Sequence, residues 1–451
     1  MTRISVLALA ISVALAPAAA AQSVLRDSET ELLFRDMSKP LIQAAKLDPG
    51  SVKVVLISDP EINAFVATGQ VVYIHTGLIT ASDNANQLQA VIAHELGHVA
   101  GGHVLRSYEG QAAATKITVL SLVLAAAAAA AGAGDAAMGV IMAGQQAAMG
   151  NLLGFTRAQE SSADLAGASY LSAAGINGQG SLDFFKKLAN QEFRLAIPQK
   201  DSYGRTHPLS SERIASLEQK YRADPAWQRK TDPALEARFQ RVKAKLIGYV
   251  DPRRATTLYP ETDRSIPAHY ARAYAYHRGA YPDKAATETE ALLKADPNDP
   301  FFLELQGQVL LEGGNPAAAI APLRRAVSRA PDQPMIAVML GHALIATDDQ
   351  TKFPEAKQVL KNAVNRDNDN PFAWYQLGVI YDREGDRARA SLATAERQNL
   401  EGETKLALAA ARAAMMGLKP GTSDYLRAQD IAMVSETQLK KNKKNKRDDG
   451  K

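Results

Sequence analysis

Residues 263–436 repeat on themselves, and this repeat restricts the possible folds more than anything else in the chain. Ala273, Gly307 and Gly341 are spaced by 34 residues, and so are Pro297 and Pro331. A period of 34 with small residues at fixed places is the tetratricopeptide signature. Small residues let the two helices of each unit touch, and proline ends the second helix. A fourth unit arrives late, since Gly378 follows Gly341 by 37 residues, and 348–352 reads as the inserted loop. The stretch 371–378 is that unit's first helix, and 406–416 closes the stack. The expected product is an all-α solenoid whose concave surface binds peptides or proteins. His269, His277 and His342 fall in repeat helices and read as packing or surface residues.

The other half holds the chemistry. The apolar run 91–99 contains His94, Glu95 and His98. Two histidines four residues apart lie on one helical face, one turn apart, and their imidazole nitrogens can share one tetrahedral zinc. Glu95 holds the position of the general base in such a motif. Zinc brings the pKa of bound water to about 7, within reach of a carboxylate. The helix is expected to run from about 84 to 108. His103 falls nine residues after His94, where the extended form of the motif needs ten, and Val104 holds that place. His103 therefore reads as a helix-end residue or a support for a ligand. Further on, Glu160 and Asp164 are one turn apart in a helix ending near Gly175. Glu160 can ligate the zinc while Asp164 supports a ligand histidine through its free ring nitrogen. The competing reading is a solvated face carrying two acids. Thr206, His207 and Pro208 precede a helix starting at Ser210 or Ser211, which makes His207 a turn residue on its own pattern.

The remaining stretches set the context. Arg3, the apolar run 4–16 and Ala19-Ala20-Ala21 compose a signal peptide, 1–21, cleaved after Ala21. There is no cysteine, so neither disulfides nor a lipid-modified cysteine are expected. Net charge is +4 with 46% hydrophobic residues, which describes a soluble globular protein and not a nucleic-acid binder. Residues 28–31 fit a capping box opening a helix to about 47, 52–57 reads as a strand, and 64–79 as a hairpin. If its arm 71–74 is an edge strand, an extended peptide can pair with it; the alternative is an ordinary buried strand. His75 at its end reads as structural. The almost uncharged stretch 117–149 forms an apolar helical hairpin whose first segment, 117–131, is short of a bilayer span. Packing inside the protein is the expectation there, with peripheral membrane contact or a protein partner as alternatives. The basic tail, 437–451, is expected to be disordered.

His94-Glu95-Leu96-Gly97-His98, Glu160-Ser161-Ser162-Ala163-Asp164 and Thr206-His207-Pro208, in that order, resemble the M48 zinc metallopeptidases over roughly residues 30–220. The resemblance implies an α+β, mostly helical zincin-like domain with a small sheet, spanning 22–250, followed by the all-α repeat solenoid. It implies one zinc per chain on His94, His98 and Glu160, Glu95 as catalytic base, and Asp164 behind the ligands. It also brings His207 into the cleft, either stabilising the oxyanion or occupying the open position of the zinc. The repeats point to the soluble periplasmic BepA-type members, which act on outer-membrane β-barrel proteins and their assembly machinery. The expected function is a periplasmic zinc endopeptidase for misfolded or stalled envelope proteins. The alternative is an assembly chaperone or adaptor with minor or latent proteolysis.

Overall fold

The computed structural model describes residues 23–67, 69–130, 134–195, 207 and 211–448. The signal-peptide segment lies outside them. The chain divides into two compact units, one holding 35–231 and the other 232–451 together with 27–34. The boundary falls at Thr231, so the helix Pro233–Val250, placed with the first domain by sequence, belongs to the repeat unit.

The first unit carries a four-stranded sheet of β1 (Ser23–Val24), β2 (Lys53–Ser58), β3 (Ala64–Ala67) and β4 (Val71–His75) in the order β1-β2-β4-β3. The turn between β3 and β4 uses Gly69 at φ 86° and Gln70 at φ 58°. β4 pairs in parallel with β2 and antiparallel with β3. The arm 71–74 is thus an interior strand, and among the described residues the edges are β1 and, beside β4, β3. Sequential pairing of the hairpin concealed that β2 returns to cover the other side of β4.

Helix α1 (Ser28–Ala44) begins at the first residue of the expected capping box, because the cap is Asp27, one residue earlier. Its Oδ1 accepts from Thr30 N at 2.8 Å and from Thr30 Oγ1 at 2.6 Å. After α2 (Thr76–Ala81), Asn84 caps α3 (Ala85–Gly101) by accepting from Gln87 N at 3.0 Å. Every residue from Ala85 to His98 is buried. The helix does not continue to 108. Gly102 adopts a left-handed conformation at φ 63° and turns the chain into α4 (His103–Ala130). Helix α5 (Gly134–Ala173) returns antiparallel and is followed by α6 (Gln179–Leu195) and α7 (Ser211–Arg222).

α3 and α5 cross at backbone contact. A Cβ at Gly97 would lie 2.6 Å from the carbonyl oxygen of Ala163, and one at Gly167 would lie 3.0 Å from that of Ala93. This close approach brings the α5 carboxylates against the α3 histidines. The distal part of α4 and α5 is a hairpin, as expected, but among the described residues it packs chiefly on itself. The apolar span 103–128 is 11% buried, so the expected packing inside the protein is not what forms.

In the second unit, helices Pro233–Val250 and Pro252–Leu258 precede five helix pairs. They are Ile266–Arg278 with Pro282–Ala295, Pro300–Glu312 with Pro316–Arg329, Pro334–Ala346 with Phe353–Arg366, Pro371–Arg383 with Arg387–Leu400, and Thr404–Gly417 with Ser423–Asp448. The 34-residue period has a steric origin. A Cβ at Gly307 would lie 2.4 Å from Leu323 Cγ, and one at Gly341 2.6 Å from Leu360 Cγ. The inserted loop is a 3-10 turn at Gln350–Lys352. The last helix runs on to Asp448, so the tail expected to be disordered from 437 is helical as far as that residue. A buried ionic network stands at the head of this unit. Lys245 Nζ lies 2.5 Å from Asp27 Oδ2, Arg241 lies 2.8 Å from both Glu29 and Asp299, and Tyr270 Oη donates to Glu29 at 2.7 Å.

Candidate metal centre

His94 and His98 project from α3 and Glu160 from α5, and all three are buried. His207, beyond α6 in sequence, is buried among them. The Nε2 atoms of His94 and His98 are 3.1 Å apart. His207 Nδ1 lies 3.3 Å from His94 Nε2 and 3.2 Å from each Glu160 oxygen. Glu160 Oε2 is 3.5 Å from His94 Nε2, and Oε1 is 3.4 Å from His98 Nε2. One ligand atom from each of the four residues falls within 4.8 Å of all the others.

These separations test whether a metal fits. Four nitrogen and oxygen donors at about 2.0–2.1 Å from a tetrahedral ion stand about 3.3 Å apart. The donor pairs at 3.1 to 3.5 Å match that edge. Charge gives the same answer. Glu95, Glu160 and Asp164 are buried carboxylates, and Arg213 is the buried guanidinium in contact with the latter two. With His94 neutral, as a ligand through Nε2 must be, Glu160 and Asp164 outweigh Arg213, and a cation offsets the difference.

The surrounding groups orient the donors. His94 turns Nε2 to the cluster and Nδ1 to Asp164 Oδ1 at 3.0 Å. Arg213, from α7, donates Nε to Asp164 Oδ2 at 2.6 Å and Nη2 to Oδ1 at 2.9 Å, with Nη2 also 3.2 Å from Glu160. His103, the first residue of α4, places Nδ1 3.0 Å from His98 Nδ1. Its ring lies over Gly101, where a Cβ would meet His103 Nε2 at 2.4 Å. Glu95 is fully buried, neither of its oxygens accepts a hydrogen bond from the described residues, and Oε1 lies 3.5 Å from His207 Nε2. That same His207 nitrogen is 3.3 Å from the carbonyl oxygen of Ala64 on the edge strand β3.

The electrostatics follow from this packing. Burial works against a charged His94, but the Asp164 and Glu160 carboxylates outweigh it and push the ring up to about 10. His98 is pushed down to about 2 by burial and by the positive His94 beside it. Burial also opposes ionisation of Glu160 and Asp164. His207 and His94 on Glu160, and His94 and Arg213 on Asp164, nevertheless hold both well below the usual carboxylate range. Glu95 goes the other way, since burial raises it more than the His207 and His94 rings lower it.

The structure thus brings together His94, Glu95, His98, Glu160, Asp164 and His207, with His103 behind His98. Sequence reasoning missed Arg213 and the Ala64 carbonyl. Arg213 had a signal: with Leu217 and Tyr221 it forms a buried stripe along α7, where an arginine facing water would break the pattern. His75 is fully buried against Phe65 and lies 3.6 Å from Asp59, apart from this cluster.

Comparison with known proteins gives four findings. Residues 28–221 match Peptidase family M48. The beta-barrel assembly-enhancing protease of Yersinia pestis is 28% identical over 385 residues, covering 82% of this chain and 76% of that protein. The metalloprotease LoiP of Escherichia coli K12 is 30% identical over 182 residues, covering 39% and 64%. Among solved structures, YrrB, a TPR protein with an unusual peptide-binding site, overlays with a TM-score of 0.32 at 21% identity, over 39% of this chain and 92% of that one.

Proposed function

The chain carries a peptidase family M48 domain and is a metalloendopeptidase, and from that premise we propose that it is a zinc enzyme of the cell envelope acting on outer-membrane proteins during their assembly. The observation that carries the zinc assignment is the convergence of the His94, His98, Glu160 and His207 donors within 4.8 Å of one another. The envelope role is supported by relatives named for β-barrel assembly and by the signal-peptide pattern of 1–21.

His94, His98 and Glu160 would hold the ion, with Asp164 and His103 fixing the two imidazoles. When bound, zinc polarises the peptide carbonyl and brings the pKa of water at the site to about 7. Glu95 takes the proton of the attacking water and passes it to the leaving amine. Its raised pKa suits both halves of that transfer. β3 is the edge against which an extended substrate pairs. In the repeat unit, a cavity of about 540 Å³ lined by Trp374, Tyr375, Arg383, Arg387 and Arg397 offers a surface for peptide or protein partners.

A second reading, an assembly adaptor with latent proteolysis, is favoured by His207. A catalytic zinc keeps one position open, whereas a closed set of four protein donors suppresses turnover. We assign His207 to that fourth position in a resting form. Metal content and casein cleavage, measured on wild type and Glu95→Gln together, test both readings. One zinc in each with cleavage only by wild type supports the protease. Zinc in each with cleavage by neither supports the adaptor, and a Glu95→Gln gene that rescues a deletion strain would do the same. Absence of zinc from both defeats the mechanism.

A further inference from the structure

The α4–α5 hairpin has no role in the chemistry above, yet it carries most of the exposed apolar side chains of the first unit. Leu105, Tyr108, Val119, Leu120, Leu122, Val123, Leu124, all on α4, and Met138, Met142 and Met149 on α5 are at least half exposed. Its internal seam is narrow. Gly144 packs on Ser121 and Gly110 on Phe155, contacts spaced eleven residues apart on each arm, with Ala125, Ala137 and Ala148 buried between the arms.

Three features select the occupant. First, the exposed apolar positions 119, 120, 122, 123 and 124 spread over more than half the circumference of α4 at 100° per residue. A helix docking on a protein needs a stripe of about 100°; one facing lipid is apolar all round. Second, Asp135 at the tip is the one ionisable residue between Lys116 and Arg157. Third, the base of the hairpin is basic, with Arg106, Lys116 and Arg157 exposed against Glu109. Basic residues flanking an apolar segment complement anionic headgroups. The dimensions agree. From Lys116 to Ala130 a helix rises about 21 Å, the depth of about 15 Å of hydrocarbon in one leaflet plus about 6 Å of headgroup. By the antiparallel register, Met149 stands at the Lys116 level, and Gln145 and Gln146 stand opposite Leu120 and Val119, about one turn nearer the tip. Both arms satisfy their own backbone hydrogen bonds, as any segment in hydrocarbon must.

We propose that the 117–149 hairpin inserts as a wedge into one leaflet of an anionic lipid bilayer, with Lys116 at the headgroups and Arg106 and Arg157 facing them from the aqueous side, and so holds the metal centre at a membrane surface. The insertion is monotopic and does not span. Asp135 is the feature that opposes it.

The test is flotation of the full mature chain with vesicles of phosphatidylethanolamine and phosphatidylglycerol. Wild type floats. Leu120→Asp/Val123→Asp lowers the bound fraction at least about tenfold, the cost of charge in hydrocarbon, while casein cleavage is unchanged. Asp135→Asn binds more tightly, and truncation after Gln438 binds as wild type. Because the chain has no cysteine, a dye on Val123→Cys reports location independently of any folding defect. It shifts to the blue and is quenched by brominated lipid, whereas a dye on Thr422→Cys is not. The proposal fails if wild type does not float, if the double Asp variant floats as well as wild type, or if binding requires the tail beyond 438. It fails equally if the Val123 dye is buried without vesicles by self-association, or only when a protein is added.

Discussion

His103 Nδ1 lies 3.0 Å from Nδ1 of His98, on the side of the His98 ring turned away from the donor cluster. A histidine ligating through Nε2 carries its proton on Nδ1, so His103 accepts it and fixes both tautomer and ring angle. His103→Ala is expected to weaken zinc binding by about 10–100-fold, measured by competition with a chelating dye. Gly101→Ala, which pushes the His103 ring away, should do the same to a lesser degree. Unchanged affinity in both would leave His103 with no part in holding the metal.

Glu95→Gln keeps the shape of the site and removes the base. Cleavage of casein should fall by about 10²–10⁴, with one equivalent of zinc retained by elemental analysis. A variant that still cleaves at the wild-type rate would place the base elsewhere.

His207→Ala removes one of four donors and should leave zinc bound, because His94, His98 and Glu160 remain. Peptide cleavage should rise if His207 closes the site in a resting form. A fall in kcat with unchanged metal content would instead assign His207 to the oxyanion.

Arg213 offsets two buried acids at once. Removing one partner of such a group costs about 3–5 kcal/mol. Arg213→Met should therefore lower the unfolding free energy of the chelated protein by that much, read from urea unfolding, and added zinc should recover part of the loss. An unchanged midpoint would mean that Asp164 and Glu160 do not need the guanidinium.

Glu304 supplies a pH dependence remote from the metal. Burial pushes its carboxyl up to about 8, with Asp27, Glu29 and Asp299 adding to burial and Lys245 opposing it. The folded state thus holds this proton more tightly than the unfolded chain, where the carboxyl titrates at about 4.3. Its contribution to stability is complete below that value and is lost as pH rises through about 8. Tm should decline over that window, and Glu304→Gln should flatten the decline. An identical slope in the variant would exclude Glu304 as its source.

Much of this was legible in the sequence because the signals were periodic. Four-residue spacing gave His94 with His98 and Glu160 with Asp164. The 34-residue period gave the helix pairs, since Gly307 and Gly341 meet Leu323 and Leu360 in equivalent places. Features set by non-local packing were hidden. The edge position of β3 depends on where β2 returns, which no local pattern in 64–75 records. The break at Gly102 depends on a left-handed backbone angle, which the Gly101-Gly102 pair allows but does not require. Asp27 displaced Ser28 as the cap because either side chain could serve. The exposure of 103–128 reversed the expected packing because an apolar stretch reads the same whether protein or lipid covers it.

The antiparallel register of α4 and α5 has a consequence for the metal site. Gly110 opposite Phe155 and Ser121 opposite Gly144 mean that every residue of the outgoing arm has a counterpart on the returning one. Equal numbers can be removed from both arms without shifting Glu160 relative to His98, because the root of the loop closes as before. The stretch 111–154, beyond the contact of Gly110 with Phe155, is therefore an insulated module, adjustable in length while the chemistry stays still.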